Sequence, residues 1–243
     1  MRAIHQAIVW LNDPLNWTNP GGILTDLKQH LWLSFASIVV AMVIALPIGL
    51  WIGHVGRGAG FVVVLSNMTR AIPTYGMLTI LACSSLGLGA PSVVPALALF
   101  AIPPVLANTY TGMRQVDPEA RDAAKGMGMS GGQVLRRVEL PLAMPYIATG
   151  VRSASVQVVA TATLAALAAG GGLGTIIDAG FQIGLVAGAG QILAGGVLVL
   201  LLALVVNIVT GVIARWVTPA PLRDPWRLSG LFRVRRRIPQ PSV

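Results

Sequence analysis

Long apolar stretches with almost no charged residues dominate the pattern along this chain. Leu31–Ile52 contains 22 residues and Ile192–Ala214 contains 23, and neither stretch carries a charge. A helix needs roughly 20 apolar residues to cross the hydrocarbon core of a bilayer. Ala71–Val116, in which Arg114 is the one charged residue, is long enough for two crossings, and the charge-free stretch Ser153–Ile177 supplies another. The pattern therefore predicts about five transmembrane helices.

The composition leads to the same class of protein. Hydrophobic residues make up 55% of the 243 residues and charged residues only 10%, whereas a soluble domain typically carries about 25% charged residues. Too little polar surface is left to cover a globule in water. We therefore expect an all-α integral membrane protein, a bundle of about five helices, with Gly58–Arg70 as a short additional segment at the membrane surface.

The net charge of +9 predicts an orientation through its placement. Lys and Arg concentrate in the cytoplasmic loops of membrane proteins. Here the loops near Ser84–Ser92 and Asp178–Gly190 carry no Lys or Arg. The loops that alternate with these two along the chain are basic. The basic residues are Arg57 and Arg70 after the first span; Arg114, Arg121, Lys125, Arg136, Arg137 and Arg152 in the predicted loop Met113–Arg152; and Arg215, Arg223, Arg227, Arg233, Arg235, Arg236 and Arg237 in the tail.

This alternation predicts three regions. Residues 1–29 form an extracytoplasmic segment, residues 30–215 the transmembrane domain, and residues 216–243 a basic cytoplasmic tail; only Arg2 and Lys28 oppose this orientation. Topology and attraction of the tail to anionic lipid explain the excess positive charge. A nucleic-acid partner is not expected.

The central loop, residues 117–146, is too polar for lipid but has a clear helical pattern. Asp117 before Pro118 is typical of a helix start, with a capping side chain followed by a ring already set to helical φ. Gly126 and Gly128 then weaken or end that helix. Ser130 to Gln133 has the spacing of a capping box, which predicts a second helix that Leu140-Pro141 ends.

Two faces of these predicted helices are distinctive. Ala120, Ala123, Ala124 and Met127 recur at helical spacing and form one small apolar stripe. The second helix carries Val134, Leu135 and Val138 on one side and Arg136 and Arg137 on another. Such a two-helix knob could dock to a partner or pack on its own subunit, and the pattern favours neither.

The same loop resembles the cytoplasmic signature loop of permease subunits in binding-protein-dependent ABC importers. That family's pattern is Glu-Ala-Ala, three residues, Gly, nine residues, Ile, one residue and Leu-Pro. This chain has Asp122-Ala123-Ala124, Gly128, Val138 and Leu140-Pro141 with every spacing kept, Asp replacing Glu and Val replacing Ile. The similarity extends roughly from His30 to Arg215 and includes Gly171-Gly172-Leu173-Gly174.

The resemblance implies a set of partners and roles. Asp122, Ala123, Ala124 and Gly128 would belong to a surface that docks into a cytoplasmic ATP-binding subunit, with Leu140 and Pro141 fixing where the loop rejoins the membrane. An extracytoplasmic substrate-binding protein and a second permease subunit, identical or homologous, would complete a multi-pass assembly in the bacterial plasma membrane. Arg70-Ala71-Ile72-Pro73-Thr74 and the 171–177 segment look most like permeases for osmoprotectants such as glycine betaine or choline.

Other chemistries find little support. The two lysines, Lys28 and Lys125, complete no phosphate-binding G-x-x-x-x-G-K-[ST] loop, so ATP hydrolysis is expected on another subunit. His5, His30 and His54 lack metal-ligand spacing and are expected at the interface or in solvent. No cofactor is expected. A permease for another small solute such as an amino acid, a stand-alone channel or secondary transporter, a membrane enzyme and a scaffold remain alternatives.

Polar residues within the apolar stretches are the candidates for a solute path. Asn108, Gln157, Thr161 and Asn207 could line it, since polar groups in a membrane face the bundle interior. Ordinary hydrogen bonding between helices is the competing and favoured interpretation. Tyr75 near Pro73 could offer a π-face to a cationic amine or serve as an interfacial anchor.

Overall fold

The computed structural model describes residues 2–219, with the backbone alone at residues 68–70. The described part is helical, with no strand in it. Its α-helices are α1 (Arg2–Asn12), α2 (Pro14–Thr18), α3 (Ile23–Val55), α4 (Ala59–Ala71), α5 (Thr74–Ala82), α6 (Ala90–Arg114), α7 (Pro118–Gly126), α8 (Gly131–Val134), α9 (Leu140–Thr161), α10 (Gly174–Ile183) and α11 (Ala189–Val217). A π-helical turn, Leu135–Glu139, joins α8 to α9, and a 3₁₀ helix, Ala162–Ala168, follows α9. The predicted tail mostly lies outside the described residues.

Four helices in the described residues are long and apolar enough to cross a membrane, namely α3, α6, α9 and α11. The predicted spans Leu31–Ile52 and Ile192–Ala214 lie within α3 and α11. The stretch Ala71–Val116, predicted to be long enough for two crossings, contains one long helix, α6. Its first part forms α5, which follows α4 after a break at Ile72 and Pro73.

The predicted span Ser153–Ile177 was displaced along the chain. The long helix there, α9, begins at Leu140 and ends at Thr161. The rest of the predicted span forms the 3₁₀ helix and a glycine-rich turn, in which Gly171 and Gly172 have φ of 73° and 86°. These left-handed conformations are favourable only for glycine, so the helix cannot continue through them.

Helix α6 lies at the centre of the bundle and contacts α3, α4, α5 and α9. Its residues Ala96, Leu97 and Ala101 are fully buried in the largest apolar cluster. Gly49 of α3 packs against Thr109 of α6, where a Cβ added to the glycine would lie 2.8 Å from the threonine Cβ. Such close approach through small residues replaces the hydrophobic driving force that helices lack inside lipid.

Gly150 of α9 gives the same close approach on the opposite side of α6. A Cβ at Gly150 would lie 2.7 Å from the Asn108 Cβ and 2.9 Å from the Pro104 carbonyl oxygen. We expect Gly150→Ala to destabilise the bundle by about 1–3 kcal/mol through overpacking, despite the better helix propensity of alanine. The measurement is the midpoint of thermal unfolding in one detergent.

Gly196→Ala in α11 is the matched control, because nothing lies within 4 Å of a Cβ added there. It should leave the midpoint unchanged or raise it. Equal midpoints for the two variants would contradict the packing assigned to Gly150.

His30 connects α3 to the glycine-rich turn and to the end of α9. Its Nε2 donates to the Val159 carbonyl at 2.9 Å, and its Nδ1 accepts from the Leu173 N–H at 3.2 Å. This pattern requires the neutral ring with hydrogen on Nε2, because a carbonyl only accepts and an N–H only donates. The expectation of an interfacial or solvated His30 was wrong: the residue is 0% exposed.

Candidate functional site

The predicted central loop contains the two short helices α7 and α8, placed between the ends of α6 and α9. Asp117 caps α7 as predicted, its Oδ1 accepting from the Glu119 N–H at 2.9 Å. The predicted capping box of α8 is also present, with reciprocal hydrogen bonds between Ser130 and Gln133. Both starts depend on neighbours in sequence, so the sequence pattern located them.

Gly128 ends α7 in a left-handed conformation, with φ of 80°. The Gly128 N–H bonds to the Lys125 carbonyl at 2.9 Å and the Met129 N–H to the Ala124 carbonyl at 3.2 Å. These two bonds form a Schellman motif with glycine at its C′ position. No atom outside the adjoining residues lies within 4 Å of a Cβ added to Gly128, so backbone conformation rather than crowding requires glycine.

The chain does not leave helical structure at Leu140-Pro141, and the expectation of a helix end there was wrong. Pro141 has no N–H to bond the carbonyl four residues earlier, which ordinarily breaks a helix. Here the preceding residues form the π-helical turn, in which the Leu140 N–H bonds five residues back to the Leu135 carbonyl. Because π-helical hydrogen bonds span five residues rather than four, the π-turn accommodates the absence of the Pro141 N–H. The helical path therefore runs without interruption from Gly131 to Thr161.

Burial divides the alanine stripe of α7. Ala124 is buried against the rest of the chain, and Ala120 is half-buried. Ala123 is exposed, and Met127 is 72% exposed. The stripe is therefore not one packed face. On α8 and the π-turn, by contrast, Val134 is buried, Leu135 and Val138 are half-buried and Arg136 and Arg137 are exposed, as their predicted faces required.

Of the signature residues, Asp122, Ala123 and Gly128 lie on the outer surface of this loop, whereas Ala124, which the resemblance placed on the docking surface, is buried. The Asp122 side chain is 78% exposed, and its nearest charged neighbour is the Lys125 ammonium at 3.8 Å. Asp122, Ala123, Met127 and Gly128 form an exposed patch, which we call the knob surface. Val138, Leu140 and Pro141 are half-buried where the loop meets the bundle.

Glu139 is the residue of this region that sequence reasoning missed. Its side chain is 2% exposed, its Oε1 lies 2.9 Å from the Arg121 Nε, and its Oε2 lies 2.6 Å from the His54 Nδ1. Arg121 also donates to the Met113 carbonyl at the end of α6. Since a carboxylate only accepts, the His54 Nδ1 carries hydrogen.

This arrangement, the Glu139 cluster, joins the π-turn to α7 and to the ends of α3 and α6. The Glu139 carboxylate requires these partners, because a charge without a partner is costly to bury. A signal existed in the sequence: an acidic residue between Val138 and Leu140, at the start of an apolar helix, invites a search for a basic partner. The pairing itself joins residues 85 positions apart, which no local pattern reveals.

A second feature is a cavity of about 520 Å³ between α4, α5, α6 and α9. Asn108 and Gln157, two of the candidates for a solute path, line it. Tyr75 and Thr161 do not belong to its lining. The other lining residues are Ser66, Ile72, Thr74, Phe100, Pro103, Pro104, Ala107 and Ser153.

The favoured interpretation of these polar residues, hydrogen bonding between helices, holds only for Asn207. Its Oδ1 accepts from the Arg152 Nε at 2.7 Å, which links α11 to α9. Asn108 instead donates to the Pro104 carbonyl and Thr161 to the Gln157 carbonyl, each within its own helix. For Asn108 and Thr161 the expectation of a bond between helices was wrong, because Asn and Thr side chains can also donate to the carbonyl four residues earlier in their own helix.

Among the described residues no group of three or more His, Cys, Asp or Glu lies together in a way that could hold a metal ion. His54 and His30 are engaged by Glu139 and by backbone groups.

Comparison with known proteins gives consistent results at the levels of family and fold. Residues 45–219 match the family described as binding-protein-dependent transport system inner membrane component. The chain is 34% identical over 206 residues to the glycine betaine/carnitine/choline transport system permease protein OpuCB of Bacillus subtilis, covering 85% of this chain and 93% of the relative. It is 30% identical to the osmoprotectant import permease protein OsmW of Salmonella typhimurium, covering 78% and 88%.

Solved structures share the fold. The inward-facing MetNI methionine ABC transporter aligns with a TM-score of 0.70 at 22% identity, covering 86% of this chain and 100% of the transporter chain. The extent of the family match and the identity to the relatives together decide the assignment. The chain belongs to the family of inner membrane components of binding-protein-dependent transport systems, as a permease subunit of an ABC importer whose ATPase is a separate subunit.

Proposed function

We propose that this permease imports a small quaternary-ammonium osmoprotectant of the glycine betaine, choline or carnitine class. The observation that carries the proposal is the similarity, at 33–34% identity over most of both chains, to permeases named for these solutes. Direct transport measurements distinguish this class of solute from the alternative, another small solute such as an amino acid.

The chemistry of the 520 Å³ cavity supports this solute class. A quaternary amine carries a positive charge but has no N–H to donate, so it is recognised by π-faces and oxygen dipoles rather than by paired acceptors. Phe100 supplies a ring, and Asn108 and Gln157 supply amide oxygens. Pro103 and Pro104 lack N–H groups, so the carbonyls of Leu99 and Phe100 have no hydrogen-bond donor four residues later in α6. The path thus includes Asn108 and Gln157, with Tyr75 and Thr161 outside the cavity.

The knob surface docks the cytoplasmic ATP-binding subunit in this proposal. The exposure of Asp122, Ala123 and Gly128 makes them available to a partner. The knob and the C-terminus then face the cytoplasm, in agreement with the basic loops. The broken pair α4 and α5 completes five spans, with the 59–82 segment crossing as two short helices.

The complete importer contains further subunits. A second permease copy or homologue closes the path, since the cavity of one chain is bounded by only part of a ring of helices. In Bacillus subtilis two permease proteins, OpuCB and OpuCD, carry the name of the same glycine betaine/carnitine/choline system. A substrate-binding protein delivers solute at the outer face.

Reconstitution of the complete importer tests this function. Vesicles containing the permease, its ATPase and its binding protein should accumulate labelled glycine betaine, choline or carnitine only with ATP, and solute should stimulate ATP hydrolysis. Accumulation of amino acids alone would contradict the solute class. Solute flux through the purified permease without the other subunits would contradict the coupled mechanism in favour of a stand-alone channel or secondary transporter.

The charge of Asp122 gives a specific prediction. We expect Asp122→Lys to abolish ATP-driven uptake and to weaken co-purification of the ATPase, because it reverses charge at the centre of the knob surface. Folding should be nearly unaffected, since exposed substitutions usually change stability by no more than about 0.5 kcal/mol. Uptake into reconstituted vesicles and the amount of bound ATPase are the measurements.

Asp122→Glu is the control at the same position, because it keeps the charge and introduces the residue that is usual in the family pattern. It should transport at close to the normal rate. A normal rate for Asp122→Lys would show that the knob surface is not the docking site.

A further inference from the structure

Arg152 is a charged residue in the middle of the membrane-crossing helix α9, on the side that contacts α11. Its side chain is exposed, and its Nε donates to the Asn207 Oδ1 at 2.7 Å. Within residues 2–219 it forms no ion pair, since the three ion pairs there involve other residues. A charged side chain facing lipid is unfavourable unless it has a partner, so Arg152 requires an explanation.

An apolar cleft of about 440 Å³ adjoins Arg152 between α3, α9 and α11. Apart from Arg152, Thr210 is the one polar residue in its lining. Met42, Leu46, Ala148 and Ile213 are among the others. The cleft is separate from the solute cavity, which α4, α5, α6 and α9 enclose. The cleft has apolar walls and runs along three helices, which suits a hydrocarbon chain.

The depth of the guanidinium in the bilayer follows from its neighbours. Side chains of a helix lean toward its N-terminus, which for α9 is the knob side. The Arg152 Cζ accordingly lies 3.3 Å from the position of a Cβ added to Gly211 of α11. Gly211 is about 6 Å along the helix axis from Arg215 in the last turn of α11. In the orientation proposed above, the guanidinium is therefore displaced from the middle of α9 toward the inner leaflet.

We propose that Arg152 and this cleft bind one anionic phospholipid of the inner leaflet. The lipid phosphate accepts hydrogen bonds from the guanidinium, whose planar fork matches phosphate oxygens. One acyl chain lies in the cleft between α3, α9 and α11. Asn207 holds the guanidinium in place through its Nε.

The charge balance of the cleft favours an anionic lipid over a zwitterionic one. None of the residues lining the cleft is acidic, so nothing there pairs with the positive choline group of phosphatidylcholine. A lipid with net negative charge, such as phosphatidylglycerol, leaves no positive charge without a partner. Basic pockets between helices on the cytoplasmic side are typical sites for such headgroups.

Native mass spectrometry of the full chain tests the site. The protein is reconstituted in vesicles of equal phosphatidylglycerol and phosphatidylcholine and then released, and the two lipids retained are compared. The wild type should retain phosphatidylglycerol preferentially. Arg152→Gln should lower that preference about tenfold through loss of a charge-assisted contact. Ala148→Phe, which fills the cleft without changing charge, should lower total lipid retention.

Arg57→Gln is the matched control, because Arg57 is exposed in the loop after α3 and outside the cleft lining. It should retain the wild-type preference. The proposal is overturned if the wild type shows no preference, if Arg152→Gln keeps it, or if Arg57→Gln loses it equally. If Arg152→Gln fails to fold, normal lipid retention by Ala148→Phe overturns the site by itself. The test needs no ATPase and no solute, so its outcome is independent of the proposed transport function.

Discussion

Replacing Gly128 by leucine is expected to abolish solute uptake while the chain still inserts into the membrane. Gly128 has φ of 80° in the Schellman motif that ends α7, and an L-residue in that conformation costs about 1–2 kcal/mol. That cost is too small to prevent folding of a large helical bundle. The leucine side chain would also project from the knob surface, since the space around Gly128 is open, and would hold the ATP-binding subunit away from the loop.

Two further variants separate strain from obstruction. Gly128→Ala introduces the backbone strain with little bulk and should retain part of the uptake. Gly60→Leu places the same side chain on α4, where φ is ordinary and nothing lies within 4 Å of an added Cβ, and should leave uptake unchanged. The readouts are ATP-driven uptake, bound ATPase and the amount of protein in the membrane. Normal uptake by Gly128→Leu is incompatible with docking at this surface.

Replacing Glu139 by leucine should destabilise the end of the bundle that carries the knob and uncouple ATP hydrolysis from uptake. Removing one partner of a buried ion pair costs about 3–5 kcal/mol, and we expect the lower part of that range because Arg121 and His54 are partly exposed. The knob would then lose its connection to the ends of α3 and α6. ATP hydrolysis per solute imported, measured in vesicles, should rise.

The double variant Arg121→Met with Glu139→Leu distinguishes a positioning role from a purely structural one. It removes both charges, and replacing a buried pair by apolar residues is often neutral for stability. We expect the unfolding midpoint to recover and uptake to remain impaired. Glu119→Gln, which removes an exposed carboxylate of α7, should change neither. If the double variant recovers both the unfolding midpoint and solute uptake, the Glu139 cluster only stabilises the fold and has no positioning role.

Local signals predicted the parts of this loop that depend on neighbours in sequence. The Asp117 cap, the Ser130 capping box and the end of α7 near Gly128 all formed as the residue types required. Each of these depends on side chains or backbone angles within four residues. The apolar stretches likewise predicted α3 and α11, because length and lack of charge alone decide whether a helix can cross a bilayer.

The proline rule predicted a helix end where helical structure in fact continues into α9. Leu140-Pro141 was expected to end a helix, whereas a bond from Leu140 to Leu135 continues it. Whether the chain forms a broken helix or a π-turn before Pro141 depends on how the surrounding bundle packs against it. The local sequence does not reveal this packing. The His54–Glu139 pair and the bonds of His30 were beyond local reasoning for a related reason, since they join residues 85 to 143 positions apart.

The uninterrupted helical path through the π-turn connects the knob to the 520 Å³ cavity within one stretch of helical structure, Gly131 to Thr161. Gln133 beside the knob and Gln157 in the cavity are separated by about 36 Å along that stretch. A tilt of about 5° about its knob end would displace Gln157 by about 3 Å over this length. If the ATP-binding subunit docks at the knob surface as proposed, a movement there would reach the residues of α9 that line the cavity.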